Sequence, residues 1–341
     1  MTDSRSDKRP TIYDLAKLTN TSASTVGAVL NGTWKKRRIS QKLADQIRKV
    51  AREQGYSPNM QARALRTERS GIIGMIVPMY DNRYFGALAQ TFEQRARERG
   101  LFPIVTCTRR DPELEIEAAQ SMLAYRVDHI VCTGATNPDK IAEICGAQGV
   151  STINVDLPGT SSPSIISDNY SAALELTADI LGRLGFPCAG RDSDVVFIGG
   201  RAHDHNTSER IRGFRMAHAN AGATIAPEFV RPCGYAAHKA ERSFDAFVEK
   251  VGRLPSGIFV NSTISLEGIV NWFKRAGLEK LEQVTLGCFD WDPYAALLGR
   301  NTTMVRQNVP AMMDMLFEVL EDPDKRGSGV TQIMPDIIRM P

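Results

Sequence analysis

Thr11-Ile12-Tyr13-Asp14-Leu15-Ala16-Lys17-Leu18-Thr19-Asn20-Thr21-Ser22-Ala23-Ser24-Thr25-Val26-Gly27-Ala28-Val29-Leu30-Asn31-Gly32 is the stretch on which the fold of this chain is decided. Two short apolar-periodic runs flank a polar tripeptide. Thr11 stands where it can cap a first helix, and Asp14 three residues on completes a capping-box pattern. Ile12, Leu15, Ala16 and Leu18 give that helix an apolar stripe. Thr19-Asn20-Thr21 makes the turn. Ser22 caps a second helix whose Val26, Val29 and Leu30 face inward, and Asn31-Gly32 stops it. Ala23, Ser24, Thr25, Gly27 and Ala28 are left on the outer face, small enough for the helix backbone to approach base edges. The pattern is a helix-turn-helix, which lays its second helix in the major groove of DNA.

A third helix is predicted from Ser40, with Leu43, Ile47, Val50 and Ala51 at helical spacing and Gly55 at its end. Three small helices over one core make a headpiece, residues 1–58. Residues 1–71 hold 15 Lys and Arg against 6 Asp and Glu, a balance of +9; the whole chain is +3, which leaves −6 for residues 72–341. A basic end on an acidic body fits a nucleic-acid-binding head. Lys35-Lys36-Arg37-Arg38 lies in the loop after the second helix, beside Trp34. Two readings of that run stand: a solvated loop, or phosphate contacts that position the head without reading sequence.

The 341 residues lead to an expectation of two or three domains. No run approaches about eighteen uninterrupted apolar residues, so no membrane span is expected. The polar start, residues 1–9, has no apolar stretch of the signal-peptide kind, and a cytoplasmic location is expected. Cys107, Cys132, Cys145, Cys188, Cys233 and Cys288 show no C-x-x-C spacing and read as buried thiols. Neither a metal nor a cofactor is expected. Strands at 71–78, 102–106, 129–133 and 151–155 alternate with helices at 86–99, 113–124 and 139–147. The rhythm restarts with helices at 172–184, 209–220, 238–251 and 265–276 and strands at 194–199, 257–260 and 285–289. Short apolar strands in a βαβ rhythm imply parallel sheets covered on both faces, here as two lobes with a cleft.

Over nearly its whole length the chain resembles the lactose-repressor/galactose-repressor (LacI/GalR) family of bacterial transcription regulators. The resemblance rests on residues 11–16, on Ser24-Thr25-Val26 and on Val29-Leu30-Asn31-Gly32. It continues in Gly55-Tyr56-Ser57-Pro58-Asn59 and Ala62-Arg63-Ala64-Leu65. In the body it rests on Asp168-Asn169, Arg210-Ile211-Arg212-Gly213-Phe214, Phe289-Asp290 and Arg306-Gln307. It implies an all-α helix-turn-helix headpiece, a hinge helix and linker over 59–71, and an α/β periplasmic-binding-protein-like effector and dimerisation domain over 72–341. That domain would hold two doubly wound parallel-sheet lobes: an N-lobe of 72–166 with 300–325 and a C-lobe of 167–299 with 326–341. Crossings between the lobes are expected near Ser167-Asp168, 299–306 and 334–339. With no leucine heptad following, the resemblance implies a homodimer on a palindromic double-stranded operator, where two heads gain avidity. The function it implies is that of a repressor controlled by a small-molecule effector, a sugar or sugar derivative, through differential binding to two states.

DNA contacts are implied at Thr11, Tyr13, Ser22, Ala23, Ser24, Thr25, Ala28 and Asn31, at Lys35, Lys36, Arg37 and Arg38, and at Asn59, Ala62, Arg63 and Leu65. Leu65 would be the wedge that enters the minor groove and kinks the duplex. Three positions depart from the family pattern. Ala28 stands where many members carry an arginine able to read guanine bidentately; alanine is left with apolar contact, such as with a thymine methyl. Residues 33–38 form a longer loop than in the best-known members. Asn261-Ser262 occupies the place of the usual Asn-Asp.

Ligands of open α/β lobes bind beyond the carboxyl ends of the strands. Asn82, Tyr84 and Phe85 follow the first strand, and Asp156 the last strand of the first half. Asn206, Arg210, Tyr235, Asn261 and Asp290 hold the matching places in the second half, with Gln307 on a return strand. Rings to cover a sugar face and carboxylates to accept from hydroxyls suit a neutral polyol or sugar. Arg210, with Arg201, also suits a phosphate or carboxylate. Structural readings stand beside these: core aromatics, Asp156 as a loop cap, Arg210 paired with a structural carboxylate. Two competing functions are an enzyme on the same fold and a sugar-binding protein without a DNA role. Against the first, there is no G-x-G-x-x-G after a strand, no Walker lysine loop and no G-x-S-x-G. The basic head argues against the second.

Overall fold

The structure is a computed structural model that describes residues 10–56, 69–186, 192–298, 302–322, 324, 327 and 329–339. It divides into two compact units, residues 1–70 and 71–341.

In the first unit lie α1 (Ile12–Leu18), α2 (Ala23–Leu30) and α3 (Gln41–Glu53). Both arms of the capping box form: the Thr11 amide donates to Asp14 Oδ2 at 2.8 Å and the Asp14 amide to Thr11 Oγ1 at 3.4 Å. Ser22 and Ser40 cap the next two helices through the amides of Thr25 and Leu43. Leu15, Val26, Val29, Ala44 and Ile47 make the core, joined by Trp34 from the loop. Leu18 departs from expectation, being 56% exposed. At 100° per residue it lies about 60° beyond Leu15, outside the arc shared by Ile12, Leu15 and Ala16.

The outer face of α2 is also narrower than its sequence indicates. Ala28 is only 5% exposed, because the loop folds back onto it: the Thr33 amide donates to the Ala28 carbonyl at 2.9 Å. Gly27 faces α1, where a Cβ would meet Ile12 Cδ1 at 3.5 Å. Ser22 and Ser24 stay exposed, with Ala23 and Thr25 half-buried.

The second unit begins with β1 (Ile72–Val77), α4 (Arg83–Glu98), β2 (Phe102–Cys107), α5 (Pro112–Ala124), β3 (His129–Thr133), α6 (Pro138–Gly146), β4 (Ser151–Val155) and β5 (Ser164–Ser167). It continues with α7 (Asn169–Arg183), β6 (Val195–Ile198), α8 (His205–Asn220), β7 (Val230–Arg231), α9 (Ala237–Val251), β8 (Gly257–Val260), α10 (Thr263–Ala276) and β9 (Thr285–Phe289). It closes with β10 (Thr302–Arg306), α11 (Val309–Glu321), β11 (Val330–Ile333) and β12 (Asp336–Arg339). Two six-stranded sheets result, in the orders β11-β5-β4-β3-β1-β2 and β12-β10-β9-β8-β6-β7. The registered pairs are parallel except β10 with β12. Strands such as Ile-Phe-Val in β8 and Val-Val-Phe-Ile in β6 are buried on both faces, as parallel strands under helices must be.

The chain crosses between the lobes three times: after β5, between β10 and α11, and between β11 and β12. Two of the expected lobe assignments are therefore corrected. Strand 302–306 belongs to the second lobe, beside β9, and only α11 after it returns to pack on the first. Strand 330–333 belongs to the first lobe, on the edge of β5. Each strand joined the sheet edge left open for it, which order along the chain does not specify.

Among the described residues no helix is long and apolar enough to cross a membrane, and no group of His, Cys, Asp and Glu is placed to hold a metal ion. Cys132, Cys145 and Cys288 are buried as expected. Cys107 and Cys233 are only half-buried, since both lie at or beyond strand ends, and Cys188 lies outside the described residues.

Helices α7 and α8 meet closely at Gly213, where a Cβ would run into the Tyr170 carbonyl and crowd the Leu174 amide at 2.9 Å. Gly213→Val is expected to destabilise the protein by about 1–3 kcal/mol or more, the usual cost of forcing atoms into a packed contact. Urea unfolding checks it; wild-type stability in the variant would contradict so close an approach.

Candidate functional site

The cleft is built from corresponding positions of the two lobes. Asp156 follows β4 and Asp290 follows β9, the fourth strand of each lobe in chain order. Both carboxylates sit on left-handed backbone, φ +75° and +71°. Such a conformation costs about 1 kcal/mol or more in a residue with a side chain and persists where the surroundings over-determine it. Asn82, after β1, caps α4 by accepting from the Tyr84 and Phe85 amides at 2.9 and 3.3 Å. Asp204, after β6, caps α8 through the Thr207 amide at 2.8 Å.

Most of the candidate effector residues meet in one buried network. Arg210 is 2% exposed; its Nε donates to Asn169 Oδ1 at 2.8 Å and its Nη1 to the Asn261 carbonyl at 2.6 Å. Its guanidinium lies 3.5 Å from the centre of the Phe289 ring. Asn169 Nδ2 donates to Asn206 Oδ1 at 3.0 Å, and Asn206 Nδ2 donates across the lobes to Asp156 at 3.1 Å. Gln307 Nε2 donates to Asp290 at 2.6 Å while its Oε1 accepts from Ser167 at 2.5 Å, tying two of the crossings together. Asn261 is fully buried, and among the described residues neither its Oδ1 nor its Nδ2 finds a partner.

Tyr84 and Phe85 are buried in the first-lobe core as well as near the cleft; the Tyr84 hydroxyl lies 3.7 Å from Met312 Sδ. Tyr235 pairs its hydroxyl with Thr207 at 3.1 Å. A cavity of about 1020 Å³ opens between the lobes, with Asn82, Arg83 and Arg109 on one wall and Tyr235, Thr263 and Asp292 on the other. Asp156, Asn206, Arg210, Asn261, Asp290 and Gln307 do not line it; they are joined to one another.

Arg110 is the residue that sequence reasoning missed. Its guanidinium lies 5.5 Å from the Phe85 ring centre and 5.0 Å from that of Tyr235, bridging the lobes. It lies beyond the carboxyl end of β2, where the rule that chose Asn82 applies equally. Three further contacts close the cleft: Asn82 Nδ2 to Thr263 Oγ1 at 3.5 Å, Arg83 to Asp292 at 3.2 Å, and Arg83 over the Trp291 ring at 5.9 Å.

Burial pushes the Asp156 carboxyl up to about 6, with Arg110 and Arg210 pulling against it and Asp290 adding to it. Burial raises Asp290 as well, opposed by Arg210, by its Gln307 bond and by Arg110. Tyr84 is raised well above its ordinary range by burial and then by the two carboxylates, and burial pushes Tyr235 up to about 12. Two carboxylates, two guanidiniums and several amides at the base of the cleft can accept from and donate to a polyhydroxylated guest. Arg210 has its Nε and one Nη1 donor engaged within the network.

In the first unit Tyr13 is 69% exposed, and Thr11 spends its hydroxyl on Asp14. Ser22 and Thr25 share a hydrogen bond at 2.9 Å, and Asn31 is an exposed C-cap. Ala28, expected to face DNA, is buried beneath Thr33. Lys35, Lys36, Arg37 and Arg38 are exposed, and Arg37 reaches Ser24 Oγ at 2.8 Å. Asn59, Ala62, Arg63 and Leu65, and with them the hinge, lie outside the described residues.

Residues 73–321 match the family described as periplasmic binding protein domain, and residues 11–59 match bacterial regulatory proteins, lacI family. The ribitol operon repressor of Klebsiella aerogenes is 59% identical over 194 residues, which cover 57% of this chain and 72% of that one. The sucrose operon repressor of Klebsiella pneumoniae is 29% identical over 269 residues, covering 79% and 78%. Among solved structures, the lac repressor dimer bound to operator and the anti-inducer ONPF shares the fold with a TM-score of 0.79 at 18% identity, over 98% of this chain and 99% of that one.

The raised Asp156 sets a pH dependence. An exposed aspartate titrates near 3.9, so the fold favours the neutral carboxyl. Its contribution is fully present below about pH 4 and is lost as pH rises through about 6. At about 1.4 kcal/mol per pH unit, the loss is on the order of 2–3 kcal/mol. Urea unfolding from pH 4 to 7 should show this decline in the wild type and a shallower one in Asp156→Asn, whose amide oxygen still accepts from Asn206 and which keeps the contribution of the raised Asp290. Parallel profiles would refute it.

Proposed function

The chain belongs to the lacI family of bacterial regulatory proteins, with a periplasmic binding protein domain after its DNA-binding segment; from this we propose a repressor whose hold on operator DNA is set by an uncharged polyhydroxylated effector between the lobes. It is a DNA-binding transcriptional regulator and not an enzyme. The observation that carries the effector reading is the Asn206–Asp156 bond across the lobes, together with Asp290 and the unpartnered amide of Asn261. A polyol offers hydroxyls that can donate to both carboxylates and exchange both ways with the amide. An unmet buried polar group costs about 1–3 kcal/mol, which such a guest relieves.

Among effector classes an acyclic pentitol stands first. A relative 59% identical is named for the ribitol operon, and the buried polar cluster offers two carboxylates, Asp156 and Asp290, to accept from hydroxyls. The protein acts as a cytoplasmic homodimer on a palindromic site, with Ser22, Ser24 and Thr25 facing the groove and Asn59, Ala62, Arg63 and Leu65 forming the hinge. An effector shifts operator affinity only as far as it binds one lobe arrangement better than the other.

The test is thermal unfolding of the full chain against ribitol, other pentitols, hexoses, sugar phosphates and small carboxylates. At a hundredfold excess over its dissociation constant the effector adds about 2.7 kcal/mol, a rise of a few degrees for a domain this large. The rise is expected with a pentitol and should vanish in Asp290→Asn. A response confined to sugar phosphates would overturn the uncharged class.

A further inference from the structure

We propose that Arg37, carried on the folded loop 33–38, is a base-reading residue that gives the protein its preference for a guanine in each half-site. The inference rests on the DNA-binding reading above and adds a specificity residue that lies outside the recognition helix.

Arg37 is not on a loose loop. Trp34 anchors the segment, 8% exposed and packed into the headpiece core. Lys35 Nζ and the Arg48 guanidinium each lie 5.5 Å from its ring centre. The backbone closes over itself: the Arg37 amide donates to the Thr33 and Trp34 carbonyls, the Arg38 amide to Lys35, and the Ile39 amide to Trp34 at 3.1 Å. Arg38 turns the chain back at φ +56°. The Thr33 amide and hydroxyl hold the start of this turn to the Ala28 carbonyl at 2.9 and 3.3 Å.

From that base the Arg37 side chain runs to Ser24, on the exposed face of α2 near its N-terminus, and Nη1 donates to Oγ at 2.8 Å. Ser24 and Ala28 are four residues apart and so share a helix face. The loop covers Ala28 and returns a guanidinium to the same face one turn earlier. That turn, close to the start of the second helix, is the part of a helix-turn-helix that meets base edges. One donor of five is used on Ser24, and no ion pair involves Arg37 among the described residues, so a forked pair remains for an acceptor. Guanine O6 and N7 are the acceptors in the major groove that match such a fork.

Full-length wild type, Arg37→Ala, Ser24→Ala and Lys35→Ala are each put through selection from randomised duplex DNA. Affinities are then measured on the selected duplex and on versions with single pairs exchanged. The wild type is expected to favour one G·C pair per half-site by roughly tenfold or more. Arg37→Ala should lose that preference while binding the exchanged duplex about as well as the wild type does. Ser24→Ala should lower the same preference with the charge intact, which keeps the proposal testable if Arg37→Ala disturbs folding. Lys35→Ala should weaken binding to all duplexes alike. If Arg37→Ala returns the wild-type consensus with uniformly weaker binding and a shallower salt dependence, Arg37 is a phosphate contact and the inference falls. If the wild type selects no sequence, the DNA-binding reading falls with it.

Discussion

Arg210 is the charge on which the cleft depends. Asp156 and Asp290 are both buried, and a buried carboxylate without compensation gives up its charge or pulls water in after it. Arg110 and Arg210 both oppose that tendency in the two carboxyls, Arg110 the more strongly at Asp156 and Arg210 the more strongly at Asp290, and Arg210 does so while hydrogen-bonded into the network. A guanidinium suits the task because it is planar, weakly hydrated and able to stack and donate at once. Here it lies on Phe289 and donates to Asn169 and to the Asn261 carbonyl. Holding Asn169 Oδ1 turns that amide's Nδ2 toward Asn206, which in turn reaches Asp156 in the other lobe. One cation on α8 thus orders a relay that ends across the cleft.

The sequence made much of this legible, and the limits have physical reasons. Apolar runs between short polar breaks located β1 to β4 of one sheet and β6, β8 and β9 of the other, because a parallel strand buried on both faces has little freedom of composition; the short β5 and β7 were not read. The caps Thr11, Ser22 and Ser40 were readable because a capping side chain acts on an amide two or three residues away. The return strands were harder. Crossings were read near 299–306 and 334–339 without a strand at Val330–Ile333, and which sheet Thr302–Arg306 and Val330–Ile333 join depends on which edge is open in space.

In the site, carboxyl ends of strands pointed to Asp156, Asp290, Asn206 and Asn261. Their mutual bonding was not readable, since it joins residues as far apart in sequence as Asn169 and Arg210. Arg110 followed the same end-of-strand rule on β2 and was passed over. At Ala28, small size indicated a face open to DNA; the loop that covers it is local in sequence, yet its fold is set by where Trp34 packs.

Beside the chain crossings and the stacking of Arg110 and Arg83 on aromatic rings, the hydrogen bonds and ion pair that join the lobes across the cleft among the described residues are polar and individually weak. Asn206 to Asp156 at 3.1 Å is buried, Asn82 to Thr263 is long at 3.5 Å, and Arg83 to Asp292 is exposed. A neutral buried hydrogen bond contributes about 0.5–1.5 kcal/mol net, and an exposed ion pair about 0–1. Their sum is on the order of a few kcal/mol, comparable to the roughly 5.5 kcal/mol that turns a one-in-a-hundred state into the dominant one. A guest that replaces the Asn206–Asp156 bond with its own, and satisfies Asn261 as it does so, therefore acts on an equilibrium it is strong enough to move. Had the lobes been joined by a packed apolar interface, no small polar guest could do the same. The polar character of the interlobe contact is what leaves the fold open to control.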